Sequence, residues 1–220
     1  MAVLMQQELD SLKKSLLELS AEVEGRVKQA VQSLLSGDRK LAERVKVGDS
    51  QIDNMEIELE EECLKILALH QPVATDLRFI VSVLKINNDL ERVADLAVNI
   101  ADRTIDLEGI ARLKCPYDVA VMAELAEKML KMALDSLVES DTDLARRTIK
   151  LDDEVDNMHR ANFICIKQAI RKNVDDLDGL VLYLSISRYL ERMADLATNI
   201  AEDVVYQVDG EIIRHGGIQN

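Results

Sequence analysis

Two short segments of the chain carry acidic side chains at the spacing of one helical turn. Residues 90–101 read LERVADLAVNIA and residues 190–201 read LERMADLATNIA, so ten of the twelve positions are identical. Each segment places a Glu, an Asp and an Asn four residues apart. These residues are Glu91, Asp95 and Asn99 in the first segment and Glu191, Asp195 and Asn199 in the second. Such side chains share one face of a helix, and two matching oxygen-rich faces predict metal binding.

Two further acidic pairs with the same spacing lie upstream, one in each half of the chain. Asp49 and Asp53 belong to DSQIDNM, and Asp152 and Asp156 belong to DDEVDNM. If the helices that carry them are neighbours, four carboxylates converge in each half, and their mutual repulsion makes them hard to ionise together. A bound cation removes that repulsion. An all-oxygen ligand set favours hard or borderline ions, and we expect Fe, Mn or Mg.

A plain solvated face is the competing interpretation of these acids. Arg92 and Arg192 could neutralise their neighbours without any metal. The recurrence of the Glu–Asp–Asn pattern favours a metal, because Asp89 and Tyr189, which we take as equivalent surface positions, have diverged. His159 follows Asp156 by three residues, but a lone histidine is expected to be a structural hydrogen-bonding group.

Composition and charge narrow the class of protein. The 220 residues carry a net charge of −14 with a pI near 4.7, which disfavours a nucleic-acid partner. No apolar run approaches the ~20 residues that span a bilayer, so no membrane insertion is expected. The three cysteines form no paired motif and the first residues do not form a signal peptide, which predicts a reduced, cytoplasmic protein. No Gly-rich phosphate loop or nucleophile motif is present, so we predict no enzymatic activity.

The elements that must position the acids are predicted to be long helices, because Gly (8) and Pro (2) are scarce and aromatic residues make up 3%. The fold class is all-α, with two pseudo-symmetric antiparallel three-helix bundles over residues 1–110 and 111–220. Asp38, Asp141 and Asp175 are expected N-caps. The first half has three extra residues, which we place in the turn at Pro72. The six helices are predicted at 4–35, 38–69, 72–107, 116–139, 141–172 and 175–208.

The chain resembles the PhoU family of phosphate-uptake regulators. The resemblance rests on the duplicated ERxADLAxNIA, the paired acidic motifs, QPVATDLR at 71–78 and GEIIRH at 210–215. It implies two symmetric three-helix bundles that hold metal ions or clusters, with Asn99 and Asn199 as auxiliary ligands. The implied ligands are Asp49, Asp53, Glu91 and Asp95 in one half and Asp152, Asp156, Glu191 and Asp195 in the other.

The resemblance also implies a role in phosphate homeostasis. Members of this family restrain phosphate uptake and act as negative regulators of the phosphate-starvation response. They are thought to couple the phosphate ABC transporter, through its ATPase PstB, to the sensor kinase PhoR, and they are often homodimers. The two halves are not identical, since Asn88 corresponds to Arg188, so the two sites are expected to differ in affinity or metal.

Two other functions stay open at this point. A di-iron carboxylate oxidase of the ferritin type needs E-x-x-H on two helices of a four-helix bundle, a motif that is missing here. A metal-free helical scaffold would need only the amphipathic pattern of the helices.

Overall fold

The computed structural model describes residues 2–110 and 113–213, apart from the side chains of residues 2, 3 and 49. Within this part of the chain the regular structure is helical, and a 3₁₀ turn at Val174–Asp176 precedes the last helix. The α-helices are α1 (Ala2–Ser36), α2 (Arg39–Val47), α3 (Asp49–His70), α4 (Ala74–Glu108), α5 (Val119–Glu139), α6 (Thr142–Lys172) and α7 (Leu177–Asp209).

The helices form two antiparallel three-helix bundles, one in each half of the chain. In the first bundle α1, α2–α3 and α4 pack together, and in the second α5, α6 and α7 do so. The bundles meet where α4 packs against α7 and α1 against α5. The all-α, duplicated architecture predicted from the sequence is therefore confirmed, while the domain boundary near residue 110 stays a prediction.

The core runs through both bundles, because the buried apolar residues of the two halves form one continuous cluster. The duplicated segments contribute matching stripes to this cluster, and all ten residues of these stripes are fully buried. Burial of such side chains is the main stabilising contribution, at about 1.5–3 kcal/mol for each large residue. The stripes are Ile86, Leu90, Val93, Ala97 and Ile100 on α4 and Ile186, Leu190, Met193, Ala197 and Ile200 on α7.

The prediction of one unbroken helix from 38 to 69 is wrong, because the helix is interrupted at Gly48. The side chain of Arg26 on α1 occupies the space at this interruption. Its guanidinium is buried, donates a 3.0 Å hydrogen bond from Nη1 to the carbonyl of Val45, and pairs with Glu22 at 3.1 Å. A Cβ at position 48 would lie 2.5 Å from Arg26 Nη1. Glycine at the break therefore leaves room for an arginine that satisfies the end of α2.

Two of the three predicted N-caps are found at the starts of helices. Asp38 and Asp141 accept hydrogen bonds from the backbone N–H groups of Leu41 and Leu144, so both predicted N-caps are confirmed. Asp175 is not a cap, because it lies inside the 3₁₀ turn, and its N–H donates to the side chain of Asn173 instead. Residues 71–73, which include Pro72, connect α3 to α4, and residues 173–176 connect α6 to α7. The placement of the three extra residues of the first half in the Pro72 turn therefore stays a prediction.

The described helices are long but amphipathic. α1 and α4 each have 35 residues, which exceeds the ~20 residues needed to span a bilayer. Even so, no described helix is apolar enough over such a length to cross a membrane.

Candidate metal centre

The second half brings acids from two neighbouring helices together. Asp156 on α6 and Glu191 and Asp195 on α7 face one another, because α6 and α7 pack along their lengths. One carboxylate oxygen from each of the three residues lies within 4.8 Å of the others. Glu191 is 8% exposed, Asp156 is half-buried and Asp195 is exposed. The three acids, which we call the second-half trio, thus lie close together, and Glu191 is the most buried of them.

Asp152 belongs to the same electrostatic cluster. Burial raises the pKa of Asp152 to about 6, and the charges of Asp195 and Asp156 raise it further. Although the residue as a whole is exposed, partial desolvation of its carboxyl group raises the pKa of Asp195 to about 6, helped by Glu191 and Asp156 and opposed by Arg188 and Arg192. The four predicted ligands of this half therefore repel one another as the sequence predicted.

Glu191 shows most clearly why a cation fits. Its Oε1 accepts a 2.6 Å hydrogen bond from Arg188 Nη1, whereas its Oε2 is buried and finds no hydrogen-bond partner among the described residues. Burial raises the pKa of Glu191, and the charges of Asp156 and Asp152 add to this effect against Arg188 and Arg192. A buried carboxylate oxygen that lacks a donor is costly. A hard cation bound to Glu191 through this oxygen would satisfy it. The carboxylates of Asp156 and Asp195 are near enough to share such an ion, so these residues fit a metal.

Arginines supply the positive charge next to the second-half trio. Arg160 Nη2 lies 2.5 Å from Asp156 Oδ2, and Arg188 pairs with Glu191. Arg192, the arginine named from the sequence, acts through its charge on Glu191 and Asp195. The sequence did not indicate Arg160, although its position four residues after Asp156 is the ordinary spacing of a helical ion pair.

His159 has the structural role that the sequence favoured. Its Nδ1 lies 2.9 Å from Ser187 Oγ, and Asn162 Nδ2 donates to the same hydroxyl at 3.1 Å. Burial lowers the pKa of His159, and the charge of Arg188 lowers it further while Asp156 opposes. The hydrogen bond at Nδ1 fixes the orientation of the ring, as is common for metal-ligating histidines.

The acids of the first half interact through their charges, although no three of the described ones bring oxygens within 4.8 Å of one another. Burial raises the pKa of Glu91, and Asp95, Glu56 and Asp53 raise it further while Arg92 opposes. Three of the predicted ligands therefore lie close enough for their charges to interact. They are Asp53 on α3 and Glu91 and Asp95 on α4. The side chain of Asp49, the fourth, lies outside the described residues, and only its position at the start of α3 is known.

Glu56 is an acid that the sequence reasoning did not include. Burial raises its pKa, followed by the charges of Glu60 and Asp53. Asn87 Nδ2 donates to the Glu56 carbonyl at 3.0 Å and to its Oε1 at 3.3 Å, which holds the side chain against α4. A D-x-x-E spacing after Asp53, at the position that matches His159, was the available signal.

The two asparagines are half-buried, and one of them faces the other half of the molecule. Asn199 borders a groove of about 610 Å³ between α4 and α7, together with Asn88 and Arg92. Its role as an auxiliary ligand, like that of Asn99, stays a prediction. The structure also corrects the status of Asp89, which is 8% exposed and buried rather than on the surface. Its difference from Tyr189 therefore does not measure drift at solvated positions.

Comparison with known proteins agrees with the duplicated fold. The family model of the PhoU domain matches the chain twice, at residues 16–104 and 119–204. The chain belongs to the PhoU family. Each matched PhoU segment contains one complete set of the acidic residues described above, so each half carries its own candidate centre.

Relatives in the PhoU family match along nearly the whole chain. The phosphate-specific transport system accessory protein PhoU homolog of Pseudomonas aeruginosa is 36% identical, with 96% of this chain and 88% of the relative covered. The homolog of Aquifex aeolicus is 33% identical, with 96% of both chains covered.

Two solved PhoU structures share the fold. The crystal structure of PhoU from Pseudomonas aeruginosa has a TM-score of 0.90 at 35% identity and covers 93% of this chain and 99% of its own. The phosphate transport system regulatory protein PhoU from Streptococcus pneumoniae has a TM-score of 0.84 at 29% identity, with 94% and 98% covered.

Proposed function

We propose that this protein is a metal-binding, cytoplasmic regulator of phosphate-specific transport. Membership of the PhoU family supports the transport role, because the relatives are named accessory or regulatory proteins of phosphate transport. In this proposal the protein is a negative regulator of the phosphate-starvation response that restrains phosphate uptake. It couples the phosphate ABC transporter, through a PstB-like ATPase, to a PhoR-like sensor kinase.

The protein acts in this proposal as an adaptor and not as an enzyme. It works as a homodimer and uses its surfaces to contact the ATPase and the kinase. The net charge of −14 disfavours nucleic acid as a partner, because phosphate backbones attract basic surfaces. The names of the relatives, which describe accessory and regulatory proteins, support a non-catalytic role.

Metal binding is the part of the proposal that the geometry supports most directly. The observation that carries it is the second-half trio, whose oxygens converge within 4.8 Å around a buried Glu191. A hard divalent ion such as Fe, Mn or Mg would neutralise the repulsion and tie two helices together. The proposed ligands are Asp152, Asp156, Glu191 and Asp195 in the second half and Asp49, Asp53, Glu91 and Asp95 in the first, where Glu56 adds a fifth carboxylate.

Elemental analysis and partner capture test this function together. Protein purified without chelators should contain a divalent metal, and the immobilised protein should retain the transporter ATPase and the cytoplasmic part of the kinase. A matched variant with Glu191→Gln and Asp195→Asn should carry less metal and should retain less of one partner. Metal-stripped native protein that captures both partners as well as the metal-loaded native protein does would contradict the proposed role of metal.

A further inference from the structure

The two candidate centres differ in the number of arginines that lie beside their acids. Four acids of the second half are accompanied by three arginines, Arg160, Arg188 and Arg192. The residues at the matching positions of the first half are Ile57, Asn88 and Arg92, so a single arginine accompanies that cluster. Glu56 also replaces His159 there, which gives five acids against one arginine. The duplicated bundles thus hold one centre that is strongly acidic and one that is nearly neutralised.

Arg188 is paired with Glu191, so a cation that binds Glu191 would compete with this arginine. Its Nη1 is 2.6 Å from Glu191 Oε1, yet its side chain is 56% exposed. A divalent ion at the second-half trio would take over the charge of Glu191 and weaken its attraction for Arg188. Because Arg188 already lies largely in solvent, it could leave Glu191 without breaking any packing. The freed guanidinium would then need another anion beside the centre.

We propose that cation binding at the second-half trio makes Arg188 part of a binding site for inorganic phosphate, together with Arg192 and the bound cation. This inference rests on the proposed metal binding. Arg188 and Arg192 lie one helical turn apart on α7, so their side chains share one face. A guanidinium offers a planar fork of donors that matches phosphate oxygens. Hard cations commonly keep positions that exchangeable ligands fill.

Cation and phosphate should therefore bind cooperatively in the second half. Phosphate would be repelled by the acids alone, and it gains both the cation and Arg188 once the cation is bound. By linkage, phosphate must tighten cation binding by the same factor as the cation tightens phosphate binding. We expect this factor to be at least about fivefold, the lower end of ordinary coupling between two sites. The first half has Asn88 in place of Arg188 and should show no such coupling.

Titration of metal-stripped protein with Mn²⁺, with bound ion counted by electron paramagnetic resonance, tests the inference. The titration is made in chloride and in inorganic phosphate at equal ionic strength, with free Mn²⁺ corrected for its complex with phosphate. Phosphate should tighten one class of Mn²⁺ site at least about fivefold in the native chain. Arg188→Asn, which installs the first-half residue, should keep Mn²⁺ binding and lose this effect. Arg92→Asn, the matched control in the first half, should keep it.

The outcomes separate the two proposals. Mn²⁺ that binds with the same affinity in phosphate and in chloride overturns the phosphate site and leaves the metal centre standing. Coupling that survives Arg188→Asn, or that disappears equally in Arg92→Asn, overturns the assignment to Arg188. If the chain binds no Mn²⁺ in either buffer, the proposed metal binding is contradicted, and the proposed phosphate site is contradicted as well.

Discussion

Arg188 Nη1 lies 2.6 Å from one carboxylate oxygen of Glu191, while the other oxygen of the same group is buried and, within the described chain, accepts no hydrogen bond. The arginine therefore balances Glu191 on the solvent side only. One carboxylate oxygen of Glu191 lies within 4.8 Å of oxygens of Asp156 and Asp195. Only half of the Glu191 carboxylate is therefore balanced by the arginine, which is the arrangement that the proposed cation binding requires.

Removing the charge of Glu191 should separate apo stability from metal-bound stability. Glu191→Gln removes a buried, repelled charge, so the metal-stripped protein should melt at the same temperature or up to about 4 °C higher. Native protein at a Mn²⁺ concentration of 100 times the dissociation constant should gain about 2.7 kcal/mol per site. The variant should lose that gain in the second half.

Calorimetric melting with and without Mn²⁺ measures both effects. The control is Glu91→Gln, which should lose the gain of the first half and keep that of the second. A variant at Glu191 that gains as much from Mn²⁺ as the native chain does would remove this residue from the ligand set.

The two acids Asp152 and Asp195 should stabilise the metal-stripped protein more at pH 5 than at pH 7.5. The folded state raises the pKa of Asp152 and of Asp195 to about 6, so it binds protons more tightly than the unfolded chain does. Their stabilising contribution is complete below the unfolded values near 4 and is lost as the pH rises through about 6. Denaturant unfolding at pH 5 and pH 7.5, compared with Asp152→Asn plus Asp195→Asn, measures this contribution. A pH dependence that is identical in the variant would contradict it.

The helix break at Gly48 should depend on Arg26. Gly48→Ala brings a Cβ to 2.5 Å from the Arg26 guanidinium and should destabilise the protein by about 1–2 kcal/mol, since the arginine must leave the Val45 carbonyl. In an Arg26→Met background the same change should be neutral or stabilising, because alanine favours helix over glycine by about 1 kcal/mol. A double-mutant cycle followed by urea unfolding measures the coupling. Additive effects would mean that Arg26 does not define the break.

The N-caps of the second half offer a paired test. Asp141→Ala should cost about 1 kcal/mol, because its carboxylate accepts the Leu144 N–H at 2.9 Å. Asp175→Ala should change the free energy of unfolding by less than about 0.5 kcal/mol, since this side chain caps no helix. Urea unfolding of the two variants distinguishes the predicted cap that the structure confirms, Asp141, from the predicted cap that it does not, Asp175. Equal losses would contradict the structure at the start of α7.

Scarce Gly and Pro and the helical spacing were enough to predict the helical architecture, and the two acidic pairs of the second half were enough to predict that acids meet across α6 and α7. Helical spacing places Glu191 and Asp195 on one face, and the short turn before α7 makes α6 the neighbour. The break at Gly48 could not be predicted in this way, because its cause, Arg26, lies on another helix and 22 positions earlier in the chain. Local helical pattern carries no information about such a tertiary contact.

The sequence also did not indicate which acids are buried or which arginines pair with them. Asp89 looked like a surface position on α4, yet it is buried and borders the groove between α4 and α7. Glu56 joins the first-half cluster because Asn87 holds it, and Arg160 and Arg188 form the close ion pairs of the second half. These roles depend on side-chain geometry, whereas spacing alone indicates only which face a residue occupies.

The most direct test of the account is Mn²⁺ uptake by metal-stripped protein, measured by titration calorimetry in the native chain and in a Glu191→Gln plus Asp195→Asn variant. The account predicts at least one Mn²⁺ site in the native chain that the variant lacks, with unchanged helical content. Native protein that takes up no Mn²⁺, Fe²⁺ or Mg²⁺, or a variant that binds as the native chain does, would contradict it.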